Sequence, residues 1–291
     1  MLPRLVDAEG RWHAPFVFPL RLDNRLERRY VEDRSRRLPL VFFAKGRLVT
    51  AADESSGPWL PLGADSSGRD LFARLLYGAR TSLAIALLAA LAAVALGALL
   101  GGIAGYAGGG VDAALMWVAE FVLVLPAVYV VLVLRAAMPL VLPPWSIFLL
   151  MAGIFGLVGW PWVARGVRGI VAAERTRDYV AAAPSLGAGH GRLLFRHLLP
   201  ACRPFLGVQV VVLVPAFILA EATLSFVGLG FPDTVPSWGS MLIEAADVSA
   251  IRQFPWTLAP AAGIFAVTLG ANLALDTPPL PPRDSRPVDR T

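Results

Sequence analysis

One lysine, one cysteine and three histidines stand in 291 residues, and only 16% of the chain is charged. Each scarcity removes a class of chemistry. A phosphate-binding P-loop needs a Gly-Lys-Ser/Thr step whose lysine reaches the phosphates. The single lysine, Lys45, follows Ala44 and precedes Gly46, so this chain holds no such ATP site. The lone Cys202 excludes an intrachain disulfide framework and a multi-cysteine metal site. His13, His190 and His197 are scattered, with no Cys or carboxylate beside them to complete a metal site, and they read as surface imidazoles. A Gly-x-Ser-x-Gly nucleophile elbow is absent. No catalytic or metal residues are assigned, and nothing points to an enzyme. The first twenty residues carry Arg4, Asp7, Glu9 and Arg11, so they lack the apolar core of a signal peptide.

Apolar residues are abundant instead. The chain is 56% hydrophobic, with eight Trp, fifteen Phe and a mean hydropathy of +0.63. Soluble domains are about half apolar and about a quarter charged. The broad class is an integral membrane protein. The formal charge of +5 rests almost wholly on arginine, a bias read as genome base composition. No basic patch interleaved with aromatics suggests a nucleic-acid partner.

A spanning helix needs about 20 mostly apolar residues. Five stretches qualify: 82–106, 113–134, about 145–164, 204–230 and about 255–275. Lipid offers a backbone no hydrogen bonds, so these stretches are read as helices. Gly97 and Gly101, four apart, suit close helix–helix approach, although in an Ala/Gly-rich run the spacing carries little weight.

Charge sets the sides. The 165–203 connection holds seven Arg against Glu174 and Asp178, whereas 231–254 holds Asp233, Glu244 and Asp247 against Arg252. The positive-inside rule puts 165–203 in the cytoplasm and 231–254 outside. Arg283, Arg286 and Arg290 then fit a cytoplasmic C-terminus, and the N-terminal region falls outside. Residues 1–80 are basic, fourteen Arg and Lys against ten acids, which opposes that placement. Long folded segments escape the rule. Residues 15–50 alternate enough to predict two short strands around Lys45-Gly46. We therefore read 1–68 as a small extramembrane region, 69–276 as the transmembrane domain with its cytoplasmic connection at 165–203, and 277–291 as a disordered tail.

Three charges fall in or at the ends of the apolar stretches: Glu120, Arg135 and Glu221. Charge in lipid is costly, so such groups face the bundle interior, water or partners. Arg135 sits at a span end and can snorkel. Glu120 and Glu221 are the intramembrane polar candidates. A structural interhelix role outweighs contact with cargo, and a Glu–Arg pair within the chain stays open.

The segment DYVAAAPSLGAGHGRLLFRHLLP, 178–200, leaves lipid between two apolar stretches. Tyr179 to Leu186 reads as a short helix stopped by Gly187, and Leu193 to Leu199 as a second, closed by Pro200. Leu194 and Leu198 stack one turn apart, as do Phe195 and Leu199, while Arg192 and Arg196 share another edge. Such an elbow suits docking into a groove on another protein. On these residues alone a solvated loop is equally open.

The segment resembles the EAA loop of permease subunits of bacterial binding-protein-dependent ABC importers. That pattern joins E-A-A to a downstream G and a distal L-P, and Ala182-Ala183, Gly187 and Leu199-Pro200 match it. GADSSGRDLFARLLYGARTSL, 63–83, is similar to the G-T-D-x-x-G-R-D segment ahead of a membrane helix in dipeptide and oligopeptide permeases. ILAEATLSFVGLG, 218–230, with PSWGSML, 236–242, looks like the late-span and outer-loop motifs of that subfamily, and Glu120 and Pro126 fall where it has an acid and a proline. The likeness covers about residues 60–275.

The resemblance implies an all-α polytopic protein of the type I ABC importer permease kind, with five visible transmembrane helices against the family's six. It implies a multi-pass protein of the bacterial inner membrane that forms half of a translocation pathway for peptides. The implied partners are a second homologous permease, two ATP-binding-cassette ATPase subunits and an extracytoplasmic solute-binding protein, all within membrane lipid. ATP would be bound by the partner subunits, with no cofactor in this chain. Asp178, Ala182, Ala183, Leu186 and Gly187 carry over as ATPase-coupling residues. Substrate-binding residues are not assigned.

Three departures stand out. Ala181 replaces the glutamate that opens the EAA pattern, and Pro184 lies inside the coupling helix, where an interior proline costs roughly 3 kcal/mol. No span precedes residue 80, which we read as an incomplete N-terminus. Alternatives are a permease for nickel, an opine or a peptide antibiotic, and a decayed assembly-only subunit. A stand-alone channel or secondary transporter would show an inverted repeat, and no convincing repeat is present.

Overall fold

The computed structural model describes residues 4–6, 11–24, 29–44, 47–51, 60–126, 129–130, 133–134, 137, 143–182, 189–232, 234–247, 251–252 and 254–275. The chain divides into two compact units. One comprises Met1–Thr81 with Phe231–Ala261, the other Ser82–Gly230 with Ala262–Thr291. Residues 231–261 thus belong with the N-terminal part of the chain.

The first unit contains six strands: β1 Arg4–Val6, β2 Trp12–Val17, β3 Leu20–Asn24, β4 Arg29–Glu32, β5 Leu38–Ala44 and β6 Arg47–Ala51. β1-β2-β5-β6 form one antiparallel sheet, and β3 pairs with β4 separately. The pairing of Ala44 with Arg47 and Phe42 with Val49 is the hairpin that alternation predicts, although Lys45-Gly46 lies outside the described residues. Side chains alternate across a strand, so Leu38 and Leu40 are buried with Val17, while Pro39 and Val41 face out. β3 alternates only over Leu20-Arg21-Leu22-Asp23 and β4, Arg29-Tyr30-Val31-Glu32, not at all, which is too little to announce the pair.

Nine helices are described: α1 Leu71–Ala107, α2 Gly109–Val124, α3 Pro144–Glu174, α4 Asp178–Ala182, α5 His190–Leu193, α6 Leu199–Ala201, α7 Arg203–Phe226, α8 Trp238–Ala245 and α9 Ala259–Leu275, the last preceded by a 3-10 turn, Pro255–Leu258. Among the described residues, α1, α3, α7 and Pro255–Leu275 are long and apolar enough to cross a membrane. At 1.5 Å per residue α1 is about 55 Å long, well beyond an apolar layer about 30 Å thick.

Two span boundaries depart from expectation. The stretch 113–134 is not one continuous helix. Leu125 is extended (φ −71°, ψ 124°) and ends α2. Pro126 disfavours the helical region for the residue before it, and Tyr129 and Val130 N–H groups return to the Pro126 carbonyl as a new turn begins. Arg135 lies outside the described residues. Conversely, α3 runs ten residues past Ala164 to Glu174, so Arg165 and Arg168 ride on helix rather than on loop. Both arginines pair with acids on α2, which removes the reason to leave the helix.

The second unit is held by close backbone approach. A Cβ on Gly97 would lie 2.8 Å from the Trp160 carbonyl oxygen, on Gly101 2.3 Å from that of Ala164, and on Gly105 2.6 Å from that of Arg168. Three glycines spaced by four residues thus form one stripe of α1 against α3. Van der Waals packing of this kind is what joins helices where lipid competes equally for apolar surface.

Candidate functional site

In the first unit, residues 63–70 form an elbow that starts α1. Asp65 is 3% exposed and accepts at Oδ1 from the Ser67 and Arg69 amides (3.0 and 2.8 Å) and at Oδ2 from Arg69 Nε (2.7 Å). Arg74 Nη1 lies 3.6 Å from the same Oδ2. Asp70 caps α1, accepting from the Phe72 and Ala73 amides (2.9 and 3.3 Å). That satisfies donors every helix leaves open at its start and places negative charge at the positive end of the dipole. Gly63 has φ +77°, and a Cβ there would lie 2.8 Å from the Trp256 ring. Trp256 Nε1 donates to the Ala64 carbonyl (2.9 Å).

The PSWGSML stretch completes the elbow. Ser237 and Ser240 form a reciprocal capping box at the start of α8. Trp238 Nε1 donates to the Leu75 carbonyl (3.1 Å), and Glu244 accepts from the Ser66 amide. Two motifs far apart in sequence are therefore one structural joint.

In the second unit, Glu221 on α7 is fully buried. Its Oε2 accepts from Ser82 Oγ on α1 (2.8 Å) and its Oε1 from Ser225 Oγ (2.7 Å). The carboxyl ties α1 to α7. Glu221→Gln keeps one acceptor and offers a donor to the second hydroxyl, so thermal unfolding in detergent should change by less than about 1 kcal/mol. Glu221→Leu removes the carboxyl to which both hydroxyls donate and should cost about 2 kcal/mol; equal melting of the two variants would deny the bridge.

Glu120 is exposed and lies 3.5 Å from Arg165, which forms the Glu–Arg pair that the sequence leaves open. One turn pair away, Arg168 Nε donates to Asp112 Oδ1 (2.7 Å). Asp112, Met116, Glu120, Arg165 and Arg168 line a cavity of about 410 Å3. The Glu120–Arg165 pair is half exposed and worth less than about 1 kcal/mol.

The coupling segment is partly described. Asp178 is exposed in the first turn of α4, and Ala182 ends that helix. Ala183, Pro184, Leu186 and Gly187 lie outside the described residues. Val180 is buried, and Tyr179 Oη donates to Glu174 (3.0 Å). Burial, then that hydrogen bond, pushes the Tyr179 phenol up from its ordinary value. Downstream, the expected helix closed at Pro200 is not what forms. Leu194–Leu198 widens into a π turn, with the Leu199 N–H bonded to the Leu194 carbonyl, and the chain continues through α6 towards α7. Pro200 has no N–H to donate, so the ladder shifts ahead of it. Leu194 and Leu198 are buried rather than presented as knobs; only Phe195 of the stacked set stays strongly exposed, at 60%. Gly102 of α1 makes the room, since a Cβ there would lie 2.9 Å from Leu199 Cδ2.

Cys202 is buried, which raises its thiol above the ordinary value, and nearby Glu174 raises it further. Only thiolate reacts. Native protein at neutral pH should leave Cys202 unlabelled by N-ethylmaleimide, and denatured protein should label fully; rapid native labelling would contradict the burial.

The surface reading of the histidines misses that His190 contacts Tyr106 and that His13 lies near Arg37 (3.4 Å). The Asp65 hub was also unassigned. Asp70 was findable, because an Asp directly before an apolar helical run is an N-cap signal.

Long apolar helices joined by glycine-mediated contact and one buried carboxyl bridge define the class: a polytopic helical membrane protein. Residues 97–277 match the family described as binding-protein-dependent transport system inner membrane component, and the chain belongs to that family. It is thus a multi-pass, inner-membrane permease component of such a transport system. A Brucella ovis protein provisionally named a peptide permease is 38% identical over 215 residues, 74% of this chain and 69% of that protein. The oligopeptide transport system permease protein of Bacillus subtilis is 35% identical over 215 residues, 74% of this chain and 68% of that one. The dipeptide transport system permease protein of the same organism is 39% identical over 179 residues, 62% and 54%.

Proposed function

We propose that this chain forms half of a peptide pathway, beside a second homologous permease, and is driven by two ATPase subunits that dock on 178–187. The similarity to permeases named for oligopeptides, over 215 residues, and for dipeptides, over 179, supports the substrate class. ATP binds the ATPases, and an extracytoplasmic binding protein presents the cargo. Sidedness has its own support. The elbow 63–70 and the acidic connection 231–254 share one unit, as expected if both lie outside. The C-terminal end of α1 lies with the basic connection, as expected if both are cytoplasmic.

Coupling through 178–187 is favoured by an exposed Asp178 on a helix whose Val180 is buried. Restoring the family pattern, Ala181→Glu with Pro184→Arg, should preserve or raise coupled ATP hydrolysis. A clear loss would mean that the segment docks differently.

The substrate class is tested by deleting the gene in an amino-acid auxotroph and supplying that amino acid only as tri- to pentapeptides. Growth should fail and return with the gene. Normal peptide growth with reduced nickel or opine uptake would move the assignment to those solutes, and no defect in any uptake would favour an assembly-only subunit.

A further inference from the structure

We propose that Tyr106 is a positioning residue for the coupling segment, fastening both of its flanks to the cytoplasmic end of α1. The inference rests on the reading of 178–187 as the ATPase-coupling element. Upstream of that element, Arg175 Nη1 donates to the Tyr106 carbonyl (2.6 Å). Downstream, His190 Nδ1 lies 2.5 Å from Tyr106 Oη, with the rings 5.8 Å apart. One residue therefore holds positions fifteen apart in sequence, on either side of the coupling helix.

Each partner suits its place. Tyr106 lies in the last turn of α1, where carbonyls lack intrahelical donors and the dipole is negative. A guanidinium answers both needs. Gly108, just past the helix, has φ 67° and ψ −167°, a conformation essentially reserved for glycine. A Cβ there would lie 3.2 Å from Arg175 Nη1, so the glycine also leaves space for the guanidinium.

Position gives the contact its consequence. Gly105, the last glycine of the α1–α3 stripe, directly precedes Tyr106. The stripe leaves α1 no room to slide past α3. Displacement of the coupling segment is then passed by Tyr106 to a stiff pair of spanning helices, instead of being absorbed in the loop.

The test uses the complex co-purified from its native membrane, in nanodiscs, with Cys202→Ala and spin labels at Ala107→Cys and at Arg192→Cys, an exposed position two residues past His190. Electron–electron distances are measured without nucleotide and after trapping with ATP and vanadate. With Tyr106 intact the distance distribution should be narrow and unchanged on trapping, because loop and helix move together. Tyr106→Phe should at least double its width or shift it on trapping, and His190→Ala should do the same. His190→Asn, which replaces Nδ1 with an amide acceptor, should restore the narrow distribution. Unchanged distances in Tyr106→Phe overturn the latch. Crosslinking of a single Asp178→Cys thiol to the ATPase subunit reports on docking alone. Its absence in otherwise unaltered protein overturns the coupling reading and the latch with it; its presence with unchanged Tyr106→Phe distances overturns only the latch.

Discussion

Gly101→Val should sharply reduce the amount of assembled protein in the membrane. The substituent begins 2.3 Å from the Ala164 carbonyl oxygen and 2.8 Å from its Cα, both backbone atoms that cannot rotate away. Relief requires α1 and α3 to separate along the whole stripe from Gly97 to Gly105. Overpacking commonly costs about 1–3 kcal/mol, and a clash against backbone belongs at or above the top of that range. Because natural stability is only about 5–15 kcal/mol, the loss should show as reduced abundance and a lower Tm in detergent. Gly153→Val is the control, since nothing lies within 4 Å of a Cβ there. Equal abundance of the two variants would mean that the stripe does not hold the helices.

Asp65→Ala should be the most damaging change in the first unit. It leaves the Ser67 and Arg69 amides and the Arg69 guanidinium without their carboxylate acceptor, in a site where the aspartate side chain is 1% exposed. Breaking a buried charge pair costs about 3–5 kcal/mol. Arg69 keeps contact with water, so about 3 kcal/mol is expected. Asp65→Asn should fall between, since its Oδ1 still accepts from both amides. Limited proteolysis between residues 60 and 70 reads the outcome. Resistance in Asp65→Ala equal to the unsubstituted protein would show that the elbow is held by Trp256 and Trp238 instead.

The membrane helices were legible because lipid imposes one requirement, a long apolar run, that composition reveals directly. Their ends were less so. Pro126 announces the break after Leu125, yet apolar residues on both sides hide it in a hydropathy reading. The extension of α3 to Glu174 was hidden for the opposite reason: Arg165 and Arg168 look like loop residues until Glu120 and Asp112 on α2 are seen to meet them. Gly97 and Gly101 suggested close approach, but their partners are set by tertiary packing that no local pattern states.

The site was legible as motifs rather than as contacts. Residues 63–83 and 236–242 could be recognised separately, while Trp238 meets Leu75 across 163 positions and Trp256 meets Ala64 across 192. Glu221 stood out as a carboxylate in an apolar run, but its partner Ser82 lies 139 residues away. Tyr106 and His190 were invisible as a pair for the same reason. The π turn before Pro200 shows a local rule, proline as a helix stop, overridden because shifted hydrogen bonds and burial of Leu194 and Leu198 stabilise continuation.

The account stands or falls on whether this chain works within a larger machine. Purification from its native membrane in mild detergent, followed by mass spectrometry of everything recovered, tests that most directly. The expected result is co-recovery of P-loop ATPases and a second permease in fixed proportion to this chain. Stable recovery of this chain without either, under conditions that keep other transport complexes intact, would contradict the account.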